Sequence, residues 1–368
     1  MGDNTEISTP PSKRFILLDS LRGYAAFAIM ILHFPEINGS FNTYLAVDFF
    51  LVLSGFVLMH AYFRDPEFSF WSFSQARFAR LYPLHLATLV IFVLIYIVKD
   101  SYIDKSALAL HGLMLHYVGL GPEKFTFNSP SWSISVEFWV NILVAATMVV
   151  GARFLGQIAP RMLNGIILAV SASCYAVLYF TLGHMDGHIQ TLAPFVSAGM
   201  VRGIASFLAG VLIYKLYTRF HASQSSTFKH ALSIATPILL ALFAVSLWLP
   251  YIQSSIDFLL LPVFFGTVFA CAFETGLGSK LVQKISHLGT ISFSIYLLHR
   301  PIQVTTDMIL PATTPLALKM VIVILIVLVA AHFTQKYFEM PVYHWLKKTI
   351  RRAQLKLKVY YLHATGNG

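Results

Sequence analysis

Ten long apolar stretches alternate with short polar segments along this chain, and this alternation predicts its architecture. A helix that spans a bilayer needs about 20 mostly apolar residues. The candidate spans are 16–34, 43–63, 82–99, 132–150, 163–182, 201–217, 231–249, 256–273, 289–310 and 316–333. A further segment, 107–119, is shorter and holds two histidines and two glycines, so we expect a re-entrant or interfacial helix there. The pattern predicts an all-α polytopic membrane protein.

Composition and the positions of the basic residues determine the predicted topology. The 368 residues are 57% hydrophobic and only 11% charged, which excludes a soluble globular protein. With ten crossings and an internal N-terminus, most of the 26 lysines and arginines lie on the cytoplasmic side, whereas a crossing at 107–119 would move most of them outside. We therefore predict ten spans with both termini cytoplasmic. The net charge of +10 then reflects topology and contact with the lipid bilayer, and we expect no nucleic-acid partner.

Three regions follow from this topology. Residues 1–13 are polar and predict a disordered cytoplasmic tail, and no small-residue cleavage site follows, so we expect a retained first helix. Residues 14–345 form the membrane domain. Residues 346–368 are basic and predict a cytoplasmic interfacial helix on anionic lipid. Cys174 and Cys271 lie in apolar runs, so we expect packing residues there and predict neither a disulfide nor a metal site.

The first span carries Arg22 and His33, and ionisable side chains are costly at membrane depth and therefore mark candidates for function. Arg22 and His33 are separated along "LRGYAAFAIMILHF" by about 16 Å of helix and share nearly the same face. They can line one passage but cannot touch. The alternative is that Arg22 pairs with Asp19, one turn earlier, and that His33 is an interfacial residue.

The catalytic candidates come from three different spans. The topology predicts that His33, Asp48 and Glu137 lie at a similar depth near the outer surface. A carboxylate beside a histidine fixes the imidazole tautomer and makes the ring a competent general base for a hydroxyl. We therefore assign these three residues as catalytic. Three serines at the start of the fourth span are alternative nucleophiles, although serines there more often cap or pack: Ser131, Ser133 and Ser135.

The candidates for donor binding are four basic residues. Arg77 and Arg80 precede the third span on the cytoplasmic side, where arginine forks suit the phosphates of an anionic donor. The alternative is an ordinary positive-inside loop. His299 lies at mid-membrane, where the other explanation is a hydrogen bond to a neighbouring helix. We assign Arg22, Arg77, Arg80 and His299 to donor binding.

Other polar residues in the apolar segments are expected to be structural or interfacial. Arg202 lies at the outer end of the sixth span, where its long side chain can reach the interface. His111, His116 and His332 are assigned in the same way.

These segments together resemble the integral-membrane acyltransferase 3 family, bacterial enzymes that acylate surface polysaccharides and related acceptors. The resemblance covers roughly residues 14–345. It rests on seven segments in the family's order: "LDSLRGYAAFAIMILH", "VDFFLVLSGF", "RFARLYP", "SWSISVEFW", "RGIASFLAG", "SFSIYLLH" and "FEMP". Each segment is weak alone, whereas the ordered set is specific.

The resemblance implies an enzyme that moves an acyl group, usually acetyl, from cytoplasmic acyl-CoA to a hydroxyl across the membrane. It implies that His33 is catalytic, that Arg77 and Arg80 hold the CoA, and that Arg22 is the motif arginine. Acyl-CoA is then a substrate, and no bound cofactor is expected. The implied acceptor is a glycan, a glycolipid or another hydroxyl-bearing molecule, and the implied location is the bacterial inner membrane.

Two departures from the family pattern are visible. Ser20 replaces the usual glycine in "LDSLRG", a small change at a small-residue site. Some relatives carry an esterase-like domain after the last helix, whereas about 35 residues follow it here. We therefore expect transfer by the membrane domain alone or with a partner protein.

Rival functions and mechanisms stay open on the sequence. A transporter or flippase for an anionic metabolite or acyl donor would move its substrate without covalent change. A different acyltransferase architecture uses a buried histidine and asparagine, but no second motif here supplies a suitable asparagine. Within the leading interpretation, His33 acts either as the general base or as a transient acyl carrier.

Overall fold

The structure is a computed structural model, and it describes residues 14–37, 39–65, 68–121, 124–155, 158–222, 225–251, 255–276 and 279–365. The predicted tail 1–13 lies outside these residues.

Helices dominate the described part of the chain. They are α1 (Ile16–Leu32), α2 (Ala46–Leu58), α3 (Phe70–Val98), α4 (Lys105–Gly112), α5 (Ser131–Leu155), α6 (Pro160–Leu182), α7 (Ala198–Ala222), α8 (Ser226–Leu247), α9 (Ile256–Cys271), α10 (Ser279–Gln283), α11 (Ser286–Thr290), α12 (Ser292–Ile309), α13 (Leu316–Thr334) and α14 (Met340–Thr365). A 3₁₀ turn, Asn42–Leu45, leads into α2, and π-helical turns follow α2 and α13 at Met59–Phe63 and Gln335–Glu339. A short antiparallel hairpin, β1 (Thr191–Ala193) and β2 (Val196–Ser197), precedes α7.

Seven helical segments in the described ranges are long and apolar enough to cross a membrane. They are Asn42–Phe63, Phe70–Val98, Ser131–Gly151, Pro160–Leu182, Ala198–Ala222, Ser226–Leu247 and Leu316–Gln354. The other three predicted spans correspond to α1, α9 and α12, which have 17, 16 and 18 residues. The chain is therefore a helical membrane protein, and the count of ten crossings stays a prediction.

The segment predicted to be re-entrant or interfacial begins in α4 and ends in turns. This helix has 8 residues and is thus only about 12 Å long, which is too short to cross a bilayer. Asp104 caps its N-terminus by accepting hydrogen bonds from the amides of Ser106 and Ala107.

Helices α2 and α7 pack at the centre of the protein through small residues. A Cβ atom on Gly55 would meet the carbonyl oxygen of Phe207, and one on Gly210 would meet that of Val52. Only glycine allows the two backbones to approach this closely, which is the usual way that helices associate in lipid. This contact holds one wall of the candidate site.

A buried ion pair crosses the same interface. Arg202 Nη2 lies 2.5 Å from Asp48 Oδ2, and Arg202 Nε donates to Asp48 Oδ1 at 2.9 Å. Arg202 is 1% exposed and Asp48 is 0% exposed. The prediction that Arg202 reaches the interface is therefore wrong. The reason is energetic. An unpaired buried carboxylate costs more free energy than removal of the Arg202 guanidinium from water when the two groups form an ion pair.

Helix α12 holds the end of α1 in place. Gln303 Nε2 donates to the carbonyl oxygen of Met30 at 2.8 Å, and Arg300 Nη1 donates to that of His33 at 3.2 Å. These bonds satisfy carbonyl groups that a helix end leaves without a partner. The position of His33 is consequently set by α12.

Candidate active site

Three arginines line one cavity of about 160 Å3, which we call the arginine cavity. Arg22 comes from α1, and Arg77 and Arg80 come from α3. The structure thus places three of the four residues assigned to donor binding around one space. Glu137 and four hydroxyl groups complete the polar lining: Ser54, Ser133, Ser292 and Tyr296.

Carboxylates hold the two arginines of α3. Arg77 Nη2 lies 2.6 Å from Glu137 Oε1, to which Ser54 Oγ also donates at 3.2 Å. Arg80 forms an ion pair with Glu339, the glutamate of the "FEMP" segment. Neither partner was predicted from the sequence, because the two glutamates are far from these arginines along the chain. Both arginines are therefore held in fixed directions.

Arg22 is less completely neutralised. Its side chain is 34% exposed, and Asp19 lies 3.8 Å away, in the pairing that was the alternative on the sequence. Asp19 also accepts a bond from Arg14 Nε at 2.6 Å, so its charge is shared. The arginine cavity therefore carries more positive than negative charge in its lining and suits an anionic group.

A second and larger cavity, of about 740 Å3, contains His33, and we call it the histidine cavity. Lys99 and Arg300 contribute cations, and Asp186 and His188 come from the loop before β1. Aromatic side chains form much of the remaining wall: Tyr44, Phe92, Tyr96, Phe125, Phe127, Trp132 and Tyr296. The cavity is large enough for a small organic group and offers both apolar faces and hydrogen-bonding partners.

The imidazole of His33 has a defined tautomer. Nδ1 lies 2.8 Å from the carbonyl oxygen of Ile29, which can only accept, so Nδ1 carries the hydrogen. Nε2 then carries the lone pair and makes no hydrogen bond within the described residues. A backbone carbonyl one turn earlier, and not a carboxylate, therefore orients this ring.

His299 packs against His33, with 4.9 Å between the ring centroids. Its Nδ1 donates to the carbonyl oxygen of Ile295 at 3.1 Å, and its buried Nε2 has no partner in the described residues. His299 lines neither cavity. The structure therefore places it beside the predicted base and away from the arginines with which it was grouped.

The predicted convergence of His33 with Asp48 and Glu137 is not found in the described chain. Glu137 lines the arginine cavity on Arg77, and Asp48 is buried on Arg202. Both carboxylates lie at membrane depth, where an unpaired charge is costly, so each takes the nearest arginine as its partner. The three alternative serines form hydrogen bonds within the protein.

Asp186 and His188 are site residues that sequence reasoning missed. Tyr251 donates to Asp186 at 2.8 Å, and burial raises the pKa of this carboxyl. Burial lowers the pKa of His188 to about 3, and its ring stacks on Trp132 with 4.0 Å between centroids. A polar "MDGH" segment between two apolar runs was the available signal.

The two cavities meet at Tyr296 and Val47, which line both. The Tyr296 hydroxyl bonds to Ser133 Oγ at 2.7 Å and to the carbonyl oxygen of Pro130 at 3.0 Å. Its ring contacts Phe50 and His299 at centroid distances of 5.9 and 6.0 Å. The Tyr296 side chain therefore lies between the arginine cavity and the histidine cavity.

Comparisons with known proteins identify the family of this chain. The model of the acyltransferase 3 family, described as an acyltransferase domain, matches residues 15–334. The chain is 37% identical to "Protein 2 in picA locus" of Rhizobium radiobacter over 194 residues, 45% of this chain and 95% of that protein. No solved structure matches.

Two other relatives are named for acyl transfer. The acyltransferase MdmB of Streptomyces mycarofaciens is 33% identical over 150 residues, 35% of this chain and 38% of MdmB. YrhL of Bacillus subtilis, provisionally named a peptidoglycan O-acetyltransferase, is 24% identical over 358 residues. That match covers 88% of this chain and 54% of YrhL, so the chain spans about half the length of that relative. With the family match extending over most of its length, the chain belongs to the integral-membrane acyltransferase 3 family and is an acyltransferase.

Proposed function

We propose that this protein is a membrane O-acyltransferase that moves an acyl group, acetyl in the simplest case, from acyl-CoA to a hydroxyl of a glycan or glycolipid. The observation that carries this proposal is the pair of adjoining cavities. One is lined by three arginines, the other contains a histidine with a free Nε2 lone pair, and Tyr296 borders both.

The donor binds with its anionic groups at the arginine cavity. Arg22 has the most available charge, and Arg77 and Arg80 are held in fixed directions by their glutamates. Fixed guanidinium groups bind phosphate oxygens with less loss of side-chain freedom. The cavity is too small for a whole CoA molecule, so only the thin acyl-bearing arm enters it and the phosphate-rich head stays at its mouth.

The thioester reaches His33 by passing Tyr296. Arg22 and His33 are about 16 Å apart along α1, a distance that a thin arm can span. Rotation of the Tyr296 side chain out of its bonds to Ser133 and Pro130 would join the two cavities. The donor then enters from one side of the membrane and the acceptor binds on the other.

The acceptor occupies the histidine cavity. Its aromatic wall suits the apolar faces of a sugar, and Lys99, Arg300 and Asp186 offer partners for hydroxyl groups. The name of YrhL, a provisional peptidoglycan O-acetyltransferase, supports an acceptor of this class, and the name of MdmB supports acyl transfer.

The chemistry uses the lone pair of His33 Nε2. In direct transfer, Nε2 takes the hydroxyl proton while the hydroxyl oxygen attacks the thioester carbonyl carbon. The carbon–sulfur bond breaks, and the CoA sulfur leaves with the proton from Nε2. In the two-step version, Nε2 attacks the carbonyl carbon and the carbon–sulfur bond breaks, which gives acyl-histidine and the CoA thiolate. The acceptor hydroxyl then attacks the acyl carbon, the bond from that carbon to Nε2 breaks, and the hydroxyl proton goes to the CoA sulfur. The bond from Nδ1 to Ile29 fixes the required tautomer in both versions.

The proposal includes a topology and a location. We place the chain in the bacterial inner membrane with ten spans, both termini and the arginine cavity on the cytoplasmic side, and the histidine cavity outside. Cysteines placed singly at Ser106 and Ser226 test this, since only the first is then open to an impermeant thiol reagent added to whole cells.

The test of function is acyl transfer by protein in liposomes. Acyl-CoA labelled in its acyl group is added outside, and free CoA thiol and label esterified to cell-envelope glycans are measured. We expect wild type to release thiol and form alkali-labile ester, and His33→Ala to do neither while still eluting as a folded protein and binding donor. His332→Ala, on α13 and outside both cavity linings, is the matched control with full activity.

Two results would overturn the proposal. An active His33→Ala protein would remove the proposed base. Movement of labelled acyl-CoA into the liposomes without thiol release would show transport instead of transfer.

A further inference from the structure

Three buried histidines form a cluster that the acyl-transfer mechanism does not use. His85 lies on α3, His111 lies on α4 and His116 lies in the turns after α4. All three are at most 3% exposed, and one side-chain nitrogen from each lies within 4.8 Å of the other two. Such a set of ligand atoms can hold a metal ion.

The hydrogen bonds fix the tautomers of two rings. His85 Nε2 lies 2.8 Å from the carbonyl oxygen of His111, so this nitrogen carries the hydrogen. His116 Nε2 lies 3.1 Å from Ser131 Oγ and 3.3 Å from the Ser131 carbonyl oxygen. The Ser131 hydroxyl already donates to Asn128, so it accepts from His116. In both rings Nδ1 therefore carries a lone pair.

The third ring has a hydroxyl partner, which can either donate or accept. His111 Nε2 lies 2.9 Å from Thr126 Oγ1. Nδ1 of all three rings is buried and has no hydrogen-bond partner in the described chain. Buried acceptors without a donor are rare in proteins because their desolvation is uncompensated. The three Nδ1 atoms of the cluster are therefore without partners, and those of His85 and His116 carry lone pairs.

We propose that His85, His111 and His116 bind a first-row transition-metal ion, Zn2+ in the simplest case, through their Nδ1 atoms. Imidazole is a preferred ligand of Zn2+, and three histidines leave one position for a ligand from outside the protein. Metal-bound histidines usually donate their other N–H to a carbonyl or a similar oxygen. Each of the three Nε2 atoms already lies on such an oxygen.

Binding requires one ring to turn. The rings of His111 and His116 are stacked, with 3.8 Å between centroids and 15° between planes. In-plane lone pairs of stacked rings cannot point at one ion. His111 is the ring that can rotate about its Cβ–Cγ bond, because its Nε2 partner is the rotatable hydroxyl of Thr126 and not a carbonyl. A tetrahedral Zn2+ site places its nitrogen ligands about 3.4 Å apart, so the cluster also contracts.

The site would join three parts of the protein next to the histidine cavity. It would link α3 to α4 and to the following turns, and His116 is bonded to the first residue of α5. The His111 ring packs against Phe127 at 5.2 Å, and Phe127 lines the histidine cavity. The metal therefore has a structural role in the wall of that cavity, and this inference does not depend on the proposed function.

The test measures metal content in protein purified without a polyhistidine tag. Metals are determined by plasma mass spectrometry before and after dialysis against a chelator, and the stripped protein is titrated with Zn2+ and with Co2+. We expect about one metal ion per chain, recovery on titration, a visible Co2+ absorption band of tetrahedral type, and a higher melting temperature with metal.

Variants separate this site from adventitious binding. His111→Gln is expected to lose the metal, and Thr126→Val, which removes only the partner of Nε2, is expected to bind Zn2+ about 10- to 100-fold more weakly. His287→Gln is the matched control, because His287 and His332 form an exposed pair with 3.3 Å between nitrogens. This variant should keep its metal.

Clear results would overturn the proposal. One is wild-type protein without metal that also fails to bind Zn2+ or Co2+ on titration, which would mean that a buried water satisfies the three rings. Another is folded His111→Gln with the metal content of wild type, or a metal lost in His287→Gln. Thr126→Val keeps every ligand, so it tests the site even if His111→Gln fails to fold.

Discussion

Replacement of Arg202 by methionine tests whether Asp48 has a structural role, as the partner of Arg202, and not the catalytic role that the sequence predicts. Arg202→Met keeps most of the side-chain volume but removes four hydrogen bonds, two to Asp48 and one each to the carbonyl oxygens of Met185 and Tyr44. Asp48 is fully buried, and Ser206 at 3.2 Å is its remaining donor. Breaking a buried ion pair from one side costs about 3–5 kcal/mol.

This free energy converts to a modest but measurable shift in melting temperature. The unfolding entropy is about 2.1 cal/mol/K per residue. For the 368 residues of this chain, the loss of free energy therefore lowers the melting temperature by about 4–6 °C. The assay is thermal unfolding in detergent micelles, together with equilibrium unfolding by titration with a denaturing detergent. Acyl transfer measured on the folded fraction separates loss of stability from loss of chemistry.

The double variant supplies the decisive comparison. Asp48→Leu with Arg202→Met removes both charges. The carbonyl oxygens of Met185 and Tyr44 then lose a donor, at about 1–2 kcal/mol each at most, and Ser206 loses one acceptor but keeps its bond to Tyr175 at 2.9 Å. We expect the double variant to be at least as stable as either single variant and to retain activity when folded. Additive costs, or a folded and inactive double variant, would refute the structural assignment of Asp48.

Three other predictions concern packing and the two cavities. Gly210→Ala pushes a methyl group against the Val52 carbonyl and should destabilise the protein by about 1–3 kcal/mol in the same titration. Gly165→Ala, with no atom within 4 Å of the new carbon, should be neutral or stabilising, and equal costs for the two would contradict the close contact. Arg80→Lys removes the planar guanidinium group that Glu339 orients, and it should raise the KM for acyl-CoA about tenfold. An unchanged KM would mean that the donor binds elsewhere. Tyr296→Ala joins the two cavities. In the absence of acceptor, this variant should hydrolyse acyl-CoA severalfold faster than Tyr296→Phe does. Equal rates of hydrolysis would exclude Tyr296 as the barrier between the cavities.

The hydrophobic pattern of the sequence predicts the positions of the helices well. It predicts the partners of the polar side chains poorly. All ten predicted spans form helices, because about 20 apolar residues in lipid have no other way to satisfy their backbone groups. The short 107–119 segment was also separated correctly from the spans. Of the four residues grouped for donor binding, Arg22, Arg77 and Arg80 line one cavity, whereas His299 lies outside it.

The three-histidine cluster shows a different limit of the sequence. The sequence pattern gives His85 no role in a metal site, and it predicts structural or interfacial roles for His111 and His116. No regular spacing links a residue on α3 to two residues in a short helix and its turns, so the cluster exists only once α3 and α4 pack. Metal sites built from separate elements leave no local motif.

Pairing of each buried carboxylate with an arginine would have corrected the prediction that Asp48 and Glu137 lie beside His33. An unpaired carboxylate at membrane depth costs several kcal/mol, whereas orientation of an imidazole needs one hydrogen bond, which a backbone carbonyl can supply. When partners are predicted from a membrane sequence, each buried carboxylate should therefore be assigned to an arginine before it is considered as a partner of a histidine. That order assigns Glu137 to Arg77 and Asp48 to Arg202. It leaves His33 with Ile29 as its partner and with Nε2 free, and this is the arrangement that a neutral imidazole needs to act as a base for a hydroxyl.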